Sequence, residues 1–216
     1  MKTIAALLGS IGLLAAATTV VQAKEAGDLL MRARALAVIP DEGGSLALGG
    51  TPIAGRPKIK NQVVPELDFS YFLTDQIAAE LILATTPHRV SAQGTPLGDA
   101  SLGKVWLLPP TLTVQYHPFP KAQFSPYVGA GINYTIFYGI KSGDAVHIDY
   151  KNRFGWALQA GCDLALNDKW SVNLDVKKVF LRTPTTINAG LPALITSKVH
   201  IDPLLVGIGV GYRFKT

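Results

Sequence analysis

The chain has 216 residues, of which 48% are hydrophobic and only 16% are charged, and its formal net charge is +5. This composition excludes an intrinsically disordered protein, because disordered chains have too little apolar surface to offset the entropy lost on ordering. Beyond the N-terminus no run approaches the roughly 18 uninterrupted apolar residues of a spanning helix, and the scattered basic residues predict no nucleic-acid partner.

Residues 1–23 are predicted to be a cleaved signal peptide. Lys2 supplies a positive start, residues 4–17 are mostly apolar, and small residues end the segment at Ala23. The alternative is an uncleaved anchor helix, which the short apolar run disfavours. We expect residues 24–216 to form one domain without an intramolecular disulfide, since Cys162 is the only cysteine.

This domain alternates between apolar and polar or small residues with period two, which predicts β-strands. Globular strands usually have about 5 or 6 residues, whereas a tilted strand that crosses a membrane needs about 9 to 11. The predicted strands are long enough to cross a membrane. They cover residues 27–38, 58–73, 77–86, 104–117, 124–138, 152–166, 169–182 and 198–214.

The connections between these strands alternate in length. Short turns are predicted at residues 74–76, 118–123 and 167–168, and longer segments rich in Gly, Pro, Ser and Thr at residues 39–57, 87–103, 139–151 and 183–197. This pattern is typical of an all-β protein, an eight-stranded antiparallel transmembrane β-barrel with short periplasmic turns and long extracellular loops. An exported soluble β-sandwich is the alternative, but its strands should be shorter.

Aromatic residues near both ends of the predicted strands fit the girdles of such a barrel. One set falls beside the short turns or the chain end: Tyr71, Tyr116, Tyr127, Trp170, Tyr212 and Phe214. A second set falls toward the long connections: Trp106, Tyr138, Phe154 and Trp156.

Several stretches resemble the outer membrane protein W (OmpW) family, which includes the AlkL-type alkane-uptake proteins. They are EAG at residues 25–27, MRA at 31–33, LPPTL at 108–112, PYVGAGINY at 126–134, DP at 202–203 and GYRF at 211–214. The resemblance implies an eight-stranded barrel in the Gram-negative outer membrane, with a narrow channel used by small hydrophobic molecules. Such barrels usually end on an aromatic residue that the barrel assembly machinery reads, whereas Lys215 and Thr216 follow Phe214 here.

The inward faces of the predicted strands carry charges toward the turn end. They predict a charged floor of Arg32, Arg34, Glu80, Asp163, Asp175, Lys177 and Arg213, with Glu66 and Asp68 on the same faces. Both signs are present, so the side chains can pair across the lumen instead of remaining isolated buried charges. The alternative reading is that such ion pairs only plug the interior and set the strand register.

Toward the long connections the inward faces become apolar, which predicts a path for a hydrophobic ligand. The path consists of Leu36, Val38, Leu107, Pro109, Phe137, Leu181, Ile201 and Leu205. Because a hydrophobic solute makes no favourable contacts with a charged floor, we expect it to leave sideways into the bilayer. Pro109 and Pro110 lack the N–H group of a strand ladder and mark the expected lateral exit, unless they only shape a bulge in the wall.

Two other functions remain open. A structural or adhesive barrel would have a plugged lumen, and a lipid-modifying enzyme at the rim would use a base such as His147 with Asp149 or His200 with Asp202. No serine or cysteine lies in a nucleophile elbow, and the four histidines lack metal-ligand spacing. We therefore expect no enzyme, cofactor or metal, and as partners outer-membrane lipids, small hydrophobic solutes and the assembly machinery.

Overall fold

The computed structural model describes residues 23–40, 43–48, 50–95, 98–141, 147–188, 195–200 and 202–215. The predicted signal peptide lies almost entirely outside these residues. The strands are β1 (Leu29–Ile39), β2 (Gly43–Leu48), β3 (Thr51–Ile53), β4 (Arg56–Ile59), β5 (Gln62–Phe72), β6 (Ile77–Ala84), β7 (Thr86–Thr95), β8 (Gly98–Leu108), β9 (Thr111–Tyr116), β10 (Phe124–Lys141), β11 (His147–Tyr150), β12 (Arg153–Ala165), β13 (Trp170–Phe180), β14 (Arg182–Asn188), β15 (Ile195–His200) and β16 (Leu204–Phe214). Within the described ranges, no helix is both long and apolar enough to span a membrane.

Eight antiparallel strands close into a barrel. Around the wall they follow the order β12, β13, β16, β1, β5, β6, β9 and β10, and β10 pairs back with β12. The two ends of the chain meet in this wall, because β1 pairs with β16 from Leu29↔Phe214 to Ile39↔Leu204. The predicted eight-stranded antiparallel barrel is confirmed, and closure leaves the wall without a free sheet edge.

The long connections are not irregular loops. In their described parts they contain hairpin strands that extend beyond one end of the barrel, here called the hairpin end. A five-stranded sheet has the order β11, β14, β15, β2 and β3, while β8, β7 and β4 continue the barrel sheet outward from β10. The sequence prediction missed these strands because it interpreted Gly, Pro, Ser and Thr as loop residues, although antiparallel ladders can continue through them.

Several predicted strands are interrupted where the chain leaves the barrel. The predicted strand 77–86 ends at Ala84, where β6 gives way to β7, and the predicted strand 104–117 divides at Pro109 and Pro110 into β8 and β9. The proline break has a direct cause, since neither residue can donate a ladder hydrogen bond. The predicted strand 198–214 likewise divides into β15 and β16.

The barrel strands bury one face and expose the other. In β13 and β16 the outward residues Leu174, Val176, Ile208 and Val210 are exposed, as expected for a wall whose outer surface meets lipid. Most predicted girdle aromatics are at least partly exposed, but Tyr127 is only 2% exposed and points inward. The prediction was wrong for Tyr127 because a position near a turn does not determine which face of the strand a residue occupies.

Candidate functional site: an apolar cavity above a charged floor

Arg32 is the centre of the ion network inside the barrel. Its side chain is fully buried and forms two hydrogen bonds with Asp163, from Nε to Oδ1 at 3.0 Å and from Nη2 to Oδ2 at 2.9 Å. Nη1 donates to Asp68 Oδ1 at 3.1 Å and Ser70 Oγ at 2.7 Å, and lies 3.5 Å from Glu80 Oε1. The fork of the guanidinium group thus holds carboxylates from three other strands.

A second cluster lies nearer the hairpin end. Arg34 Nη1 is 2.8 Å from Glu66 Oε1 and 3.0 Å from Asp68 Oδ2. Lys177 Nζ contacts the same Glu66 oxygen at 2.8 Å and Asp175 Oδ1 at 3.2 Å. Because neighbouring cations share carboxylates, the two clusters form a continuous network instead of separate pairs.

The segment before β1 closes the turn end of the lumen. Lys24 Nζ lies 2.7 Å from Asp163 Oδ2 and 3.1 Å from His117 Nδ1. Arg213 Nη1 lies 3.0 Å from Asp28 Oδ2. The segment that precedes β1 therefore contributes side chains to the interior before the first strand begins.

We call these buried ionic residues the charged floor. It contains five cations and six carboxylates among the described residues: Lys24, Arg32, Arg34, Lys177, Arg213, Asp28, Glu66, Asp68, Glu80, Asp163 and Asp175. The near balance of charge explains how so many ionic groups are buried together, because each has a partner of opposite sign. All seven residues predicted for the floor lie in it.

Sequence reasoning missed three members of this interior. Lys24 precedes both β1 and the predicted strand 27–38, so no strand alternation indicates which way it points, whereas Asp28 lies in that predicted strand on the face of Arg32 and Arg34 but was not assigned to the floor. Tyr127 was assigned to a girdle, yet its hydroxyl donates to Asp175 Oδ2 at 2.7 Å. A usable signal was present, since Tyr127 shares its strand face with Gly129 and Gly131, opposite the apolar outward residues.

An apolar cavity of about 60 Å³ lies above the charged floor, toward the hairpin end. Its walls come from nine strands (β1, β5–β10, β13 and β16) and the short segments that join them. The lining residues are Leu36, Val38, Glu66, Ile82, Ala84, Thr86, His88, Leu107, Pro109, Thr111, Asn133, Thr135, Lys177, Val179, Leu181, Pro203 and Leu205. Glu66 and Lys177 pair with each other at its lower boundary, and the described lining contains no other Asp, Glu, Lys or Arg.

The structure brings most of the predicted apolar path together. Six of its residues line the cavity: Leu36, Val38, Leu107, Pro109, Leu181 and Leu205. Phe137 packs beside the cavity against a cluster that includes Val179 and Leu181. Ile201 lies outside the described residues. The role of this path in carrying a solute stays a prediction.

The wall beside the cavity has a gap in its hydrogen-bond ladder. β6 pairs with β9 up to Ile82↔Thr111, and pairing resumes between β7 and β8 at Thr86↔Leu107 in the same register. In the described structure no ladder pair joins residues 83–85 to residues 108–110 across this seam. The seam contains both Pro109 and Pro110, and Pro109 also lines the cavity.

Side chains compensate for the missing ladder at this seam. Asn133 Nδ2 donates to the Pro109 carbonyl at 3.1 Å, so this carbonyl is satisfied from the lumen side. On the outer face, the Thr85 hydroxyl and the Tyr138 hydroxyl lie 2.5 Å apart and form a hydrogen bond. The Asn133 bond therefore anchors Pro109 to β10 on one side of the seam, and the bond between Thr85 and Tyr138 spans the seam.

The rim residues considered for catalysis do not form a described catalytic pair. Asp202 Oδ1 accepts a hydrogen bond from the Leu181 amide at 2.7 Å, which gives this carboxylate a structural role. The side chains of His147, Asp149 and His200 lie outside the described side chains. Among the described residues no group of three or more potential ligands could hold a metal ion.

The turn end carries an exposed ion pair between two turns. Lys121 Nζ lies 3.3 Å from Asp75 Oδ2, and the Ala26 amide donates to Asp75 Oδ1 at 3.1 Å. This backbone hydrogen bond, aided by the Lys121 ammonium group, lowers the pKa of Asp75 below its ordinary value. Both turn side chains are open to solvent, and neither takes part in the charged floor.

Comparison with known proteins agrees with this architecture. A model of the OmpW family matches residues 25–214 of the chain. The chain belongs to the OmpW family. This OmpW-family protein is 45% identical over 188 residues to an uncharacterized outer-membrane protein, y4mB of Sinorhizobium fredii, across 85% of this chain and 79% of that protein. It is 32% identical over 148 residues to the dibenzothiophene metabolism operon protein PahQ of Pseudomonas aeruginosa, across 68% and 69% of the two chains.

Solved structures of similar proteins are also outer-membrane barrels. The crystal structure of OprG from Pseudomonas aeruginosa matches with a TM-score of 0.85 and 29% identity over 91% of this chain and all of that chain. The solid-state NMR structure of AlkL in lipid bilayers matches with a TM-score of 0.69 and 26% identity, over 97% and 98% of the two chains. The OmpW-family barrel described here is therefore an outer-membrane protein, with its turn end periplasmic and its hairpin end extracellular.

Proposed function

We propose that this OmpW-family barrel passes small hydrophobic molecules from the cell exterior into the outer membrane by lateral release. The observation that carries the proposal is the position of the apolar cavity, which lies between a charged floor and a wall seam without ladder pairing. A solute in this cavity has an apolar lining around it and a charged network beneath it.

The charged floor disfavours straight passage into the periplasm. A hydrophobic molecule that crossed it would separate buried ion pairs such as Lys177–Glu66 and Arg34–Glu66, and each separation would expose an unpaired charge in a low-dielectric lumen. The molecule itself would gain nothing from these charges. The path of lower free energy therefore leads sideways, where lipid chains replace the apolar lining.

The seam at Pro109 and Pro110 is the proposed exit. It adjoins the cavity directly, and it opens without breaking backbone ladder bonds between residues 83–85 and 108–110. The hydrogen bond between Thr85 and Tyr138 is the bond across its outer face that must be released. The name of the PahQ relative, which refers to dibenzothiophene metabolism, is compatible with an apolar cargo for this family.

Replacing both prolines tests the exit. We expect the double variant Pro109→Val and Pro110→Val to take up n-octane several-fold more slowly than wild type, because the restored amides can complete the ladder. The measurement is uptake of labelled n-octane by cells that lack other OmpW-family proteins and express each variant at equal outer-membrane levels. Pro126→Val is the matched control, since Pro126 lies in β10 at the periplasmic end, far from the seam.

A structural or adhesive barrel with a plugged lumen is the competing function, and the continuous ion network is the observation that favours it. It predicts equal octane uptake by cells with and without the wild-type protein. A folded double-proline variant that takes up octane at the wild-type rate would instead retain transport but overturn lateral release at this seam. We further propose that the protein is not an enzyme and that its partners are outer-membrane lipids and the barrel assembly machinery.

A further inference from the structure

A polar pair interrupts the apolar lining of the cavity. His88 and Thr86 lie on the inward face of β7, and both side chains line the cavity. His88 is only 4% exposed, and its Nε2 lies 3.0 Å from Thr86 Oγ1. Their partners across the β7–β8 ladder, Leu107 and Val105, are apolar, and the other uncharged polar residues of the lining are Thr111, Asn133 and Thr135.

The other ring nitrogen of His88 is unused. In the part of the chain that the structure describes, Nδ1 is buried and has no hydrogen-bond partner. Buried polar atoms in folded proteins are almost always hydrogen-bonded, because an unpaired one has lost its water and gained nothing in exchange. An unpaired ring nitrogen on a residue that lines the cavity is available to pair with a molecule bound there.

We propose that His88 Nδ1 binds the single uncharged oxygen group of an amphipathic solute, such as a primary alcohol, aldehyde or ketone with an alkyl body. This inference rests on the proposed function, because it names the class of molecule that the cavity selects. The imidazole can bind an oxygen group that donates a hydrogen bond or one that accepts it. If Nε2–H donates to Thr86, Nδ1 accepts from an alcohol; if the Thr86 hydroxyl donates to Nε2, Nδ1–H donates to a carbonyl.

The surroundings favour an uncharged group over an ionised one. The two charged residues of the lining, Glu66 and Lys177, neutralise each other at 2.8 Å at the lower boundary of the cavity. A carboxylate or ammonium head beside His88 would have no fixed counter-charge in the described lining, and burying it there would be unfavourable.

The alkyl body would lie along the apolar walls below His88. Ala84, which pairs with Glu66, and His88 are four residues apart along the β6 and β7 strands, a path of roughly 13 Å. Leu36, Leu107 and Leu181 line the space between the two polar ends. An extended alkyl chain with its oxygen at the extracellular end would follow this path, and the cavity of about 60 Å³ would have to widen to admit it.

The test compares 1-octanol with n-octane, which have the same number of carbon atoms and differ in one hydroxyl group. Protein in lipid nanodiscs is labelled with ¹⁵N at histidine and ¹³C at leucine methyl groups, and each solute is added at equal mole fraction in the lipid. We expect octanol to shift the His88 Nδ1 resonance and octane to leave it unchanged, while both solutes shift the methyl resonances of Leu36 and Leu107.

Variants then separate the hydrogen bond from the shape of the cavity. We expect His88→Phe, which keeps a ring but removes both nitrogens, to lower the preference for octanol over octane about five- to tenfold. Lys121→Met is the control, because Lys121 lies in an exposed turn at the opposite end of the barrel and does not line the cavity. This control should keep the octanol preference.

Two results would overturn the inference: equal shifts of His88 Nδ1 with both solutes, or an unchanged octanol preference in folded His88→Phe. The ¹⁵N measurement on the wild-type protein tests whether His88 Nδ1 binds the hydroxyl group even if His88→Phe does not fold. Because binding is measured without transport, failure of this subsite is distinguishable from failure of the proposed function. In the latter case cells with the wild-type protein would take up octane no faster than cells without it.

Discussion

Replacing Arg32 with methionine is expected to destabilise the barrel strongly, because it removes the cation at the centre of the charged floor. Methionine keeps much of the side-chain length but cannot hydrogen-bond Asp163, Asp68 or Glu80, which lie 2.9–3.5 Å from the guanidinium nitrogens. Removing one partner of a buried ion pair typically costs about 3–5 kcal/mol, since the remaining charge stays buried without compensation.

The remaining contacts place the expected cost near the lower end of that range. Asp163 keeps Lys24 Nζ at 2.7 Å and Asn173 Nδ2 at 2.8 Å, and Asp68 keeps Arg34 Nη1 at 3.0 Å. We therefore expect the free energy of unfolding of Arg32→Met to fall by about 3 kcal/mol, a change of roughly 100-fold in the folding equilibrium constant.

Reversible urea unfolding in lipid bilayers, followed by tryptophan fluorescence, measures this difference. Lys121→Met is the control, because Lys121 and Asp75 are 63% and 44% exposed and solvent screens their ion pair. Adding Asp68→Asn to Arg32→Met restores the charge balance and should recover part of the loss, and it provides a measurable protein if the single variant does not fold. A cost below about 1 kcal/mol for Arg32→Met would refute the view that the floor is a mutually dependent network.

Two further predictions concern close packing in the wall and the periplasmic rim. A Cβ atom at Gly131 would lie 2.0 Å from the Leu112 carbonyl oxygen. Gly131→Ala should therefore lower the free energy of unfolding by about 1–3 kcal/mol. Gly207→Ala should cost less in the same urea assay, because a Cβ atom there would have a side-chain carbon at 3.1 Å as its nearest neighbour. Equal losses in the two variants would contradict this. Lys121→Met should raise the pKa of Asp75 only partway to its ordinary value in a ¹³C NMR titration, because the backbone hydrogen bond is the larger cause of the lowered pKa. The stabilising contribution of the ionised Asp75 should disappear as the pH falls through that lowered pKa, and an unchanged pKa in the variant would exclude the ion pair as a cause.

The seven predicted floor residues and six of the eight predicted path residues were identifiable from their positions on alternating strands. A barrel strand has one lumen face and one outer face, so the period-two pattern assigns residues such as Arg34 and Leu36 to the interior without coordinates. This rule applies only inside regular strands. Lys24 precedes β1, and its insertion beside Asp163 follows from how the N-terminal segment folds across the barrel mouth.

The sequence by itself determined the eight-stranded barrel, the division of its lumen into a charged and an apolar part, and the two prolines in its wall. Each of these depends on residue order along single strands. Only the tertiary structure decided which charges pair, since Arg32 and Asp163 are 131 residues apart and meet through barrel closure. The wall seam also required the structure, because a missing ladder is a relation between two strands and not a property of either one. The unused nitrogen of His88 belongs to the same class: its histidine is visible in the sequence, but its burial beside Thr86 in an apolar cavity depends on how the wall surrounds it.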